Sequence, residues 1–223
     1  MIAVLSADLL SSSNYPKQLM EKVITSLNTE FKNLENLSSK ESGFEIFRGD
    51  SFQGIVHDPS EALHAALVLK TAINKLHLNT DNENKAFKKE ADLRLSIGIG
   101  DYDFKRDSVM ESNGEAFQLS GRTLDEMKKA HRKLQLKTPI DTINGEFDTS
   151  LFLFDMISDK WSTASAEVIY YLLKDLKETE IASKLGISQS AVNQRKKAAG
   201  WDAIDILLTR YKMVIKENFS DGE

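Results

Sequence analysis

With 223 residues and 41% hydrophobic content, the chain can bury one substantial core and a small second one, which excludes disorder and admits two domains. The absence of cysteine removes disulfides and thiolate metal sites. With no N-terminal charged-then-apolar signal and no membrane-length apolar run, the expected location is the cytoplasm, away from membranes. A net charge of -5 argues against indiscriminate nucleic-acid binding, so any DNA contact has to come from a local basic patch.

Ile2 to Ala7 is an apolar run ending at Asp8 and followed by a Ser-Asn-Pro segment, which predicts a buried strand and then a loop. From Lys17 to Leu34, the apolar residues Leu19, Val23, Leu27, Phe31 and Leu34 recur at helical spacing and form one stripe. Phe44 to Val56 reads as a hairpin turning at Gly49-Asp50. Asp58-Pro59-Ser60-Glu61 then opens a second amphipathic helix through a cap, a first-turn proline and an acid, with Leu63, Ala66, Leu67 and Ile73 as its inner face. The polar stretch Asn79 to Glu90 is a loop, strict alternation in Leu93, Leu95, Ile97 and Ile99 marks a strand, and a further helix starts near Glu115. Gly121 inside that helix points to close approach of a neighbouring element or a ligand, or to packing. The order β-α-β-β-α-β-α predicts an α+β domain of residues 1–140 with helices on one face of its sheet. The remainder is helical. A connector over 141–160, including Phe147 to Ile157, leads to an all-α unit over 161–218 whose last helix carries Trp201, Ile204, Leu208, Tyr211 and Ile215 after a Gly200 cap.

The run Glu178 to Arg195 has the pattern of two short helices. Ile181, Ala182 and Leu185 supply the inner face of the first, Gly186 the turn, Ser188 an N-cap, and Ile187 and Val192 the packing of the second. Ser188, Gln189, Ser190, Asn193, Gln194, Arg195, Lys196 and Lys197 then form a polar, basic set able to contact base edges and phosphates of double-stranded DNA. An ordinary helical hairpin with a solvated outer face is the alternative. The stretch resembles the helix-turn-helix of bacterial regulators and sigma-factor region-four domains.

Three pieces of the first domain could carry chemistry: Ser6-Ala7-Asp8-Leu9, Phe47-Arg48-Gly49-Asp50-Ser51, and Gly114 to Arg122. A strand-end carboxylate and a hairpin-turn carboxylate are hard oxygen ligands of the kind Mg²⁺ or Mn²⁺ prefers, so Asp8 and Asp50 are the candidate metal pair. Taken singly, Asp8 could cap a turn and Gly49-Asp50 is a common hairpin pair. Gln118 and Arg122, four apart on a helix, could present an amide and a guanidinium to one anion, with Glu111 in the adjoining loop; Arg122 could equally pair with Glu126. His57, His64, His77 and His131 lack the spacing of a zinc set.

These pieces resemble the class III nucleotide cyclase catalytic domain. The resemblance implies that Asp8 and Asp50 bind two metal ions, that Arg122 stands at the transition-state arginine, and that Gln118 replaces an asparagine. It also makes Glu111, Gln118 and Arg122 the nucleotide-binding set, with Gln118 and Arg122 catalytic if the chain is active. Ile46 replaces a purine-reading lysine, and the family's closing strands have no clear counterpart between Leu134 and Phe147. Such a domain followed by a helix-turn-helix resembles the bacterial SatD family. The implied fold is a ferredoxin-like, nucleotide-cyclase-like sheet-and-helix domain followed by a small all-α helix-turn-helix domain. The implied function is a homodimeric transcriptional regulator whose degenerate cyclase-like domain senses a nucleotide or related phosphorylated ligand. The alternatives are a metal-dependent nucleotide cyclase or related phosphoryl-transfer enzyme carrying a helix-turn-helix module, and a protein-interaction scaffold.

Overall fold

The computed structural model describes residues 1–36, 43–47, 49–78, 88–102 and 113–219, so Arg48, Glu111 and most of the Asn79 to Glu90 loop lie outside the described residues. Five strands, β1 (Ile2–Leu9), β2 (Phe44–Phe47), β3 (Ser51–Val56), β4 (Leu93–Gly100) and β5 (Leu134–Lys137), form one sheet in the order β2-β3-β1-β4-β5. Helices α1 (Lys17–Asn36) and α2 (Ala62–Asn74) connect β1 to β2 and β3 to β4. The first four strands are antiparallel throughout, which gives the split βαβ arrangement of a ferredoxin-like unit. Helix α3 (Glu115–Ala130) leads into β5, which adds parallel to β4. A strand therefore occupies the segment in which the sequence showed no closing strand; at four residues it is too short to display a period.

β1 is largely buried on both faces, with Ile2 and Val4 making one end of its second face apolar, so it needs cover on both. Ala3, Leu5, Ala7 and Leu9 meet Leu93, Leu95, Ile97 and Ile99 in the core beneath α1 and α2. Ile2 and Val4 point the other way and pack with Ile55 against Ala116 and Phe117 of α3. The expectation of helices on one face is corrected accordingly. Close approach occurs at Gly98, where a Cβ would stand 2.4 Å from Ala116 O and Ser120 N, whereas Gly121 has no neighbour within 4 Å of that position.

The helical remainder consists of α4 (Asp141–Ser158), α5 (Thr163–Leu173), α6 (Glu178–Leu185), α7 (Gln189–Ala198) and α8 (Trp201–Phe219). Asp58 accepts a hydrogen bond from Ser60 N–H at 2.9 Å and caps a 3-10 turn that runs into α2. α2 itself is not amphipathic as expected. Ala65, Val68, Leu69, Lys70 and Ala72 are buried along with the anticipated stripe, because α5 and α8 cover its outer side. His64 shares a 2.8 Å hydrogen bond with Leu173 O, and Tyr211 donates to Pro59 O at 3.0 Å. Ile143, Phe147, Leu151 and Phe154 of α4 lie in the same core as the sheet, with Phe147 edge-on to Tyr211 and Phe154 edge-on to Trp161. One apolar core thus runs from the sheet to α8. Among the described residues, no helix is long and apolar enough to cross a membrane.

Candidate functional site

Local rules place α6 and α7. Lys177 N–H donates to Glu180 Oε2 at 2.7 Å at the start of α6, and α6 ends at Gly186 with φ of 61°, where glycine carries no Cβ penalty. Ser188 Oγ then accepts from Ala191 N–H at 3.2 Å and caps α7. Ile181, Ala182 and Val192 are buried against Val168 of α5, forming a small core of their own with Leu185 and Ile187 packed at its edge.

The polar set on α7 separates into two stripes. Gln189, Asn193 and Lys196 turn toward α6, where Lys196 Nζ lies 3.0 Å from Glu178 Oε1 and the two amides lie beside the same carboxylate. The Lys196 hydrogen bond, followed by its charge and the two amides, holds that carboxyl below its ordinary range. Ser190, Gln194 and Lys197, at the same i, i+4, i+7 spacing, are exposed, as is Ser188; Arg195 is half-buried. Sequence reasoning missed Glu178. Its signal was a carboxylate in the first turn of α6, where the helix dipole favours it.

In the sheet, Asp8 lies directly across from Arg94 on β4, with Nη1 3.1 Å from Asp8 Oδ2 and Lys128 of α3 at 3.7 Å. Burial outweighs both cations and leaves the Asp8 carboxyl above its ordinary range. Asp50 sits in the hairpin turn and accepts from Ser12 Oγ at 3.1 Å, sharing no partner with Asp8. Among the described residues, no group of three or more His, Asp or Glu is placed to hold a metal ion. With Asp8 facing two cations, the donor set as arranged does not fit a shared divalent ion. Gln118 and Arg122 share the exposed side of α3 and have no hydrogen-bond or ion-pair partner among the described residues, Glu126 included. Ile46 packs at the edge of the main core.

The densest charge cluster is one that the sequence pattern did not reveal. Asp92, just before β4, is bonded by Lys70 Nζ at 2.7 Å, Asn74 Nδ2 at 2.8 Å and Lys133 Nζ at 3.1 Å, with Lys89 Nζ at 3.4 Å. Burial alone would raise its carboxyl, but Lys70, Lys89 and Lys133 hold it far below the usual carboxylate range. Lys133 also pairs with Asp159 at 2.5 Å, and Lys89 donates to Ser158 O at 2.7 Å, so the cluster ties the sheet edge to the end of α4. Three lysines thus share two carboxylates in this cluster, Lys133 bridging Asp92 and Asp159.

No protein-family model and no curated protein matches the chain. Among the solved structures that align with it are three nucleotide cyclases. A bacterial light-regulated adenylyl cyclase matches at 12% identity over 60% of this chain and 74% of that one, with a TM-score of 0.37. The catalytic core of a rhodopsin-guanylyl cyclase with converted specificity, in complex with ATPalphaS, matches at 15% identity over 56% and 71%, also at 0.37. A further guanylyl cyclase matches at 14% identity over 56% and 69%, with a TM-score of 0.35.

Proposed function

We propose that the protein is a DNA-binding regulator in which residues 161–218 read DNA through α7. The sheet unit of residues 1–140 would respond to a small phosphorylated ligand, and α4 would join the two. The observation that carries this reading is the α6-turn-α7 unit, capped at Ser188, turned at Gly186 and packed on its own small core, with Ser190, Gln194 and Lys197 left outside. A helix presenting hydroxyl, amide and ammonium groups on one stripe can donate to and accept from base edges while a lysine takes a phosphate. Glu178 tunes the same surface: it holds Lys196, which contributes to DNA only if the carboxylate releases it. With an overall charge of -5, binding is confined to this patch.

The test is selection from a random duplex library, followed by titration of the selected sequence over a range of salt. Arg195→Ala with Lys197→Ala is expected to weaken binding on every sequence and to lower the salt slope by about 0.9 per lost phosphate contact. Gln194→Ala is expected to alter preference at one base by about 1–3 kcal/mol. Failure to select any sequence, or an unchanged slope in the double variant, would remove α7 as the reader.

A further inference from the structure

Of the seven exposed large apolar side chains among the described residues, five, Phe152, Leu153, Met156, Ile206 and Met213, stand on α4 and α8, so the exposure is concentrated on one pair of helices. The two helices run antiparallel: Glu146 and Phe147 meet Arg210 and Tyr211, while Ile157 lies beside Gly200. Between them is an apolar groove of about 300 Å³ lined by Leu153, Ile157, Ala203, Ile206 and Leu207, among others. Ile206, 69% exposed, stands at its rim.

We propose that this face is the interface between two copies of the chain, with α8 crossing its own copy antiparallel and Ile206 on the two-fold axis. Charge selects the occupant. Asp202, Ile206 and Arg210 are four residues apart and share one stripe of α8. Antiparallel pairing about Ile206 sets each position before it against the position equally far after it. Asp202 of each copy then faces Arg210 of the other, twice by symmetry.

Both groups are available for that pairing. Arg210 uses its Nε and Nη2 edge on Glu146, at 2.7 and 3.3 Å, which leaves the Nη1 edge of the guanidinium for an outside carboxylate. Asp202 has no hydrogen-bond or ion-pair partner among the described residues. A single helix that carries an acid, an apolar residue and a base at equal spacing is complementary to itself, and a groove beside it takes the flanking apolar side chains. This interface is independent of DNA reading. If both hold, α7, joined to α8 at Gly200, is set in two-fold relation to its copy.

Analytical ultracentrifugation of the full chain is expected to show a reversible dimer. Ile206→Glu is expected to raise its dissociation constant about thirtyfold or more while melting like the wild type at protein concentrations low enough for both to be monomeric, because the side chain is exposed. Asp202→Arg is expected to weaken association about tenfold at low salt and less at high salt. In this cysteine-free chain, Ile206→Cys is expected to form covalent dimers on oxidation, while Gln194→Cys on α7 does not. A wild-type chain that stays monomeric at high protein concentration, or an Ile206→Glu variant as tightly dimeric as wild type, would overturn the interface. Unaltered association in Asp202→Arg would overturn its register.

Discussion

Asp92 and Asp155 show how the same side chain can stabilise or strain the same fold. Asp92 is ringed by Lys70, Lys89 and Lys133 and is held ionised, so its contribution is present above the unfolded carboxylate range, near pH 3.9, and fades as pH falls toward its depressed folded value. Asp92→Asn strips the charge that faces the fully buried Lys70 and is expected to lose about 3–5 kcal/mol at pH 7 in urea unfolding. The difference from wild type should shrink in strong acid. Asp155 behaves in the opposite sense. Burial raises its carboxyl, which accepts from Lys133 and Leu134 N–H through Oδ2 while Oδ1 has no hydrogen-bond partner among the described residues. Its native state therefore favours the proton, and stability falls as pH rises through the folded value. Asp155→Asn keeps the accepting oxygen and is expected to be neutral or stabilising by up to about 1 kcal/mol at pH 7. Neither role is visible in sequence, because each depends on lysines and amides brought from distant positions.

At the scale of elements, a glycine of β4 that lies against α3 and a glycine on the open side of α3 separate local propensity from packing. Gly98 lets the backbone of α3 lie on β4, and Gly98→Ala is expected to cost about 1–3 kcal/mol because backbone atoms, which cannot swing aside, occupy the Cβ position. Gly121→Ala fills open space inside a helix and is expected to gain about 1 kcal/mol. Thermal melts of the two variants should therefore shift in opposite directions. The helices that the sequence marked most clearly, α1, α6 and α7, are those with an apolar stripe or a cap and turn within the segment itself. α2 misled the pattern because a helix enclosed on all sides has no polar face to set against its apolar one.

For the whole molecule, the continuous core joining the sheet to α4, α5 and α8 makes the two proposed functional units one folding unit. Unfolding is expected to be a single transition, coincident by far-ultraviolet circular dichroism and by fluorescence of the buried Trp161 and half-buried Trp201. A fragment of residues 161–218 alone is expected not to fold, since Ile169, Leu173, Tyr211 and Ile215 would lose their partners on the sheet side. Two separated transitions, or a folded fragment, would show that the halves are energetically independent.

The succession of strands and helices along the first domain, the caps at Asp58 and Ser188, the turn at Gly186 and the inner faces of α1, α6 and α7 were legible in the sequence, because each depends on residues a few positions apart. The partners of the candidate site residues were not. Asp8 faces Arg94 and Lys128, Asp50 faces Ser12, and Gln189, Asn193 and Lys196 face Glu178, through pairings that only the register of strands and the packing of helices create. The tertiary structure alone also decided that α3 covers the second face of the sheet, that α4 belongs to the common core, and that α8 leaves Ile206 outside it. Burial and electrostatics are properties of neighbours in space, and for these residues the neighbours lie far away along the chain.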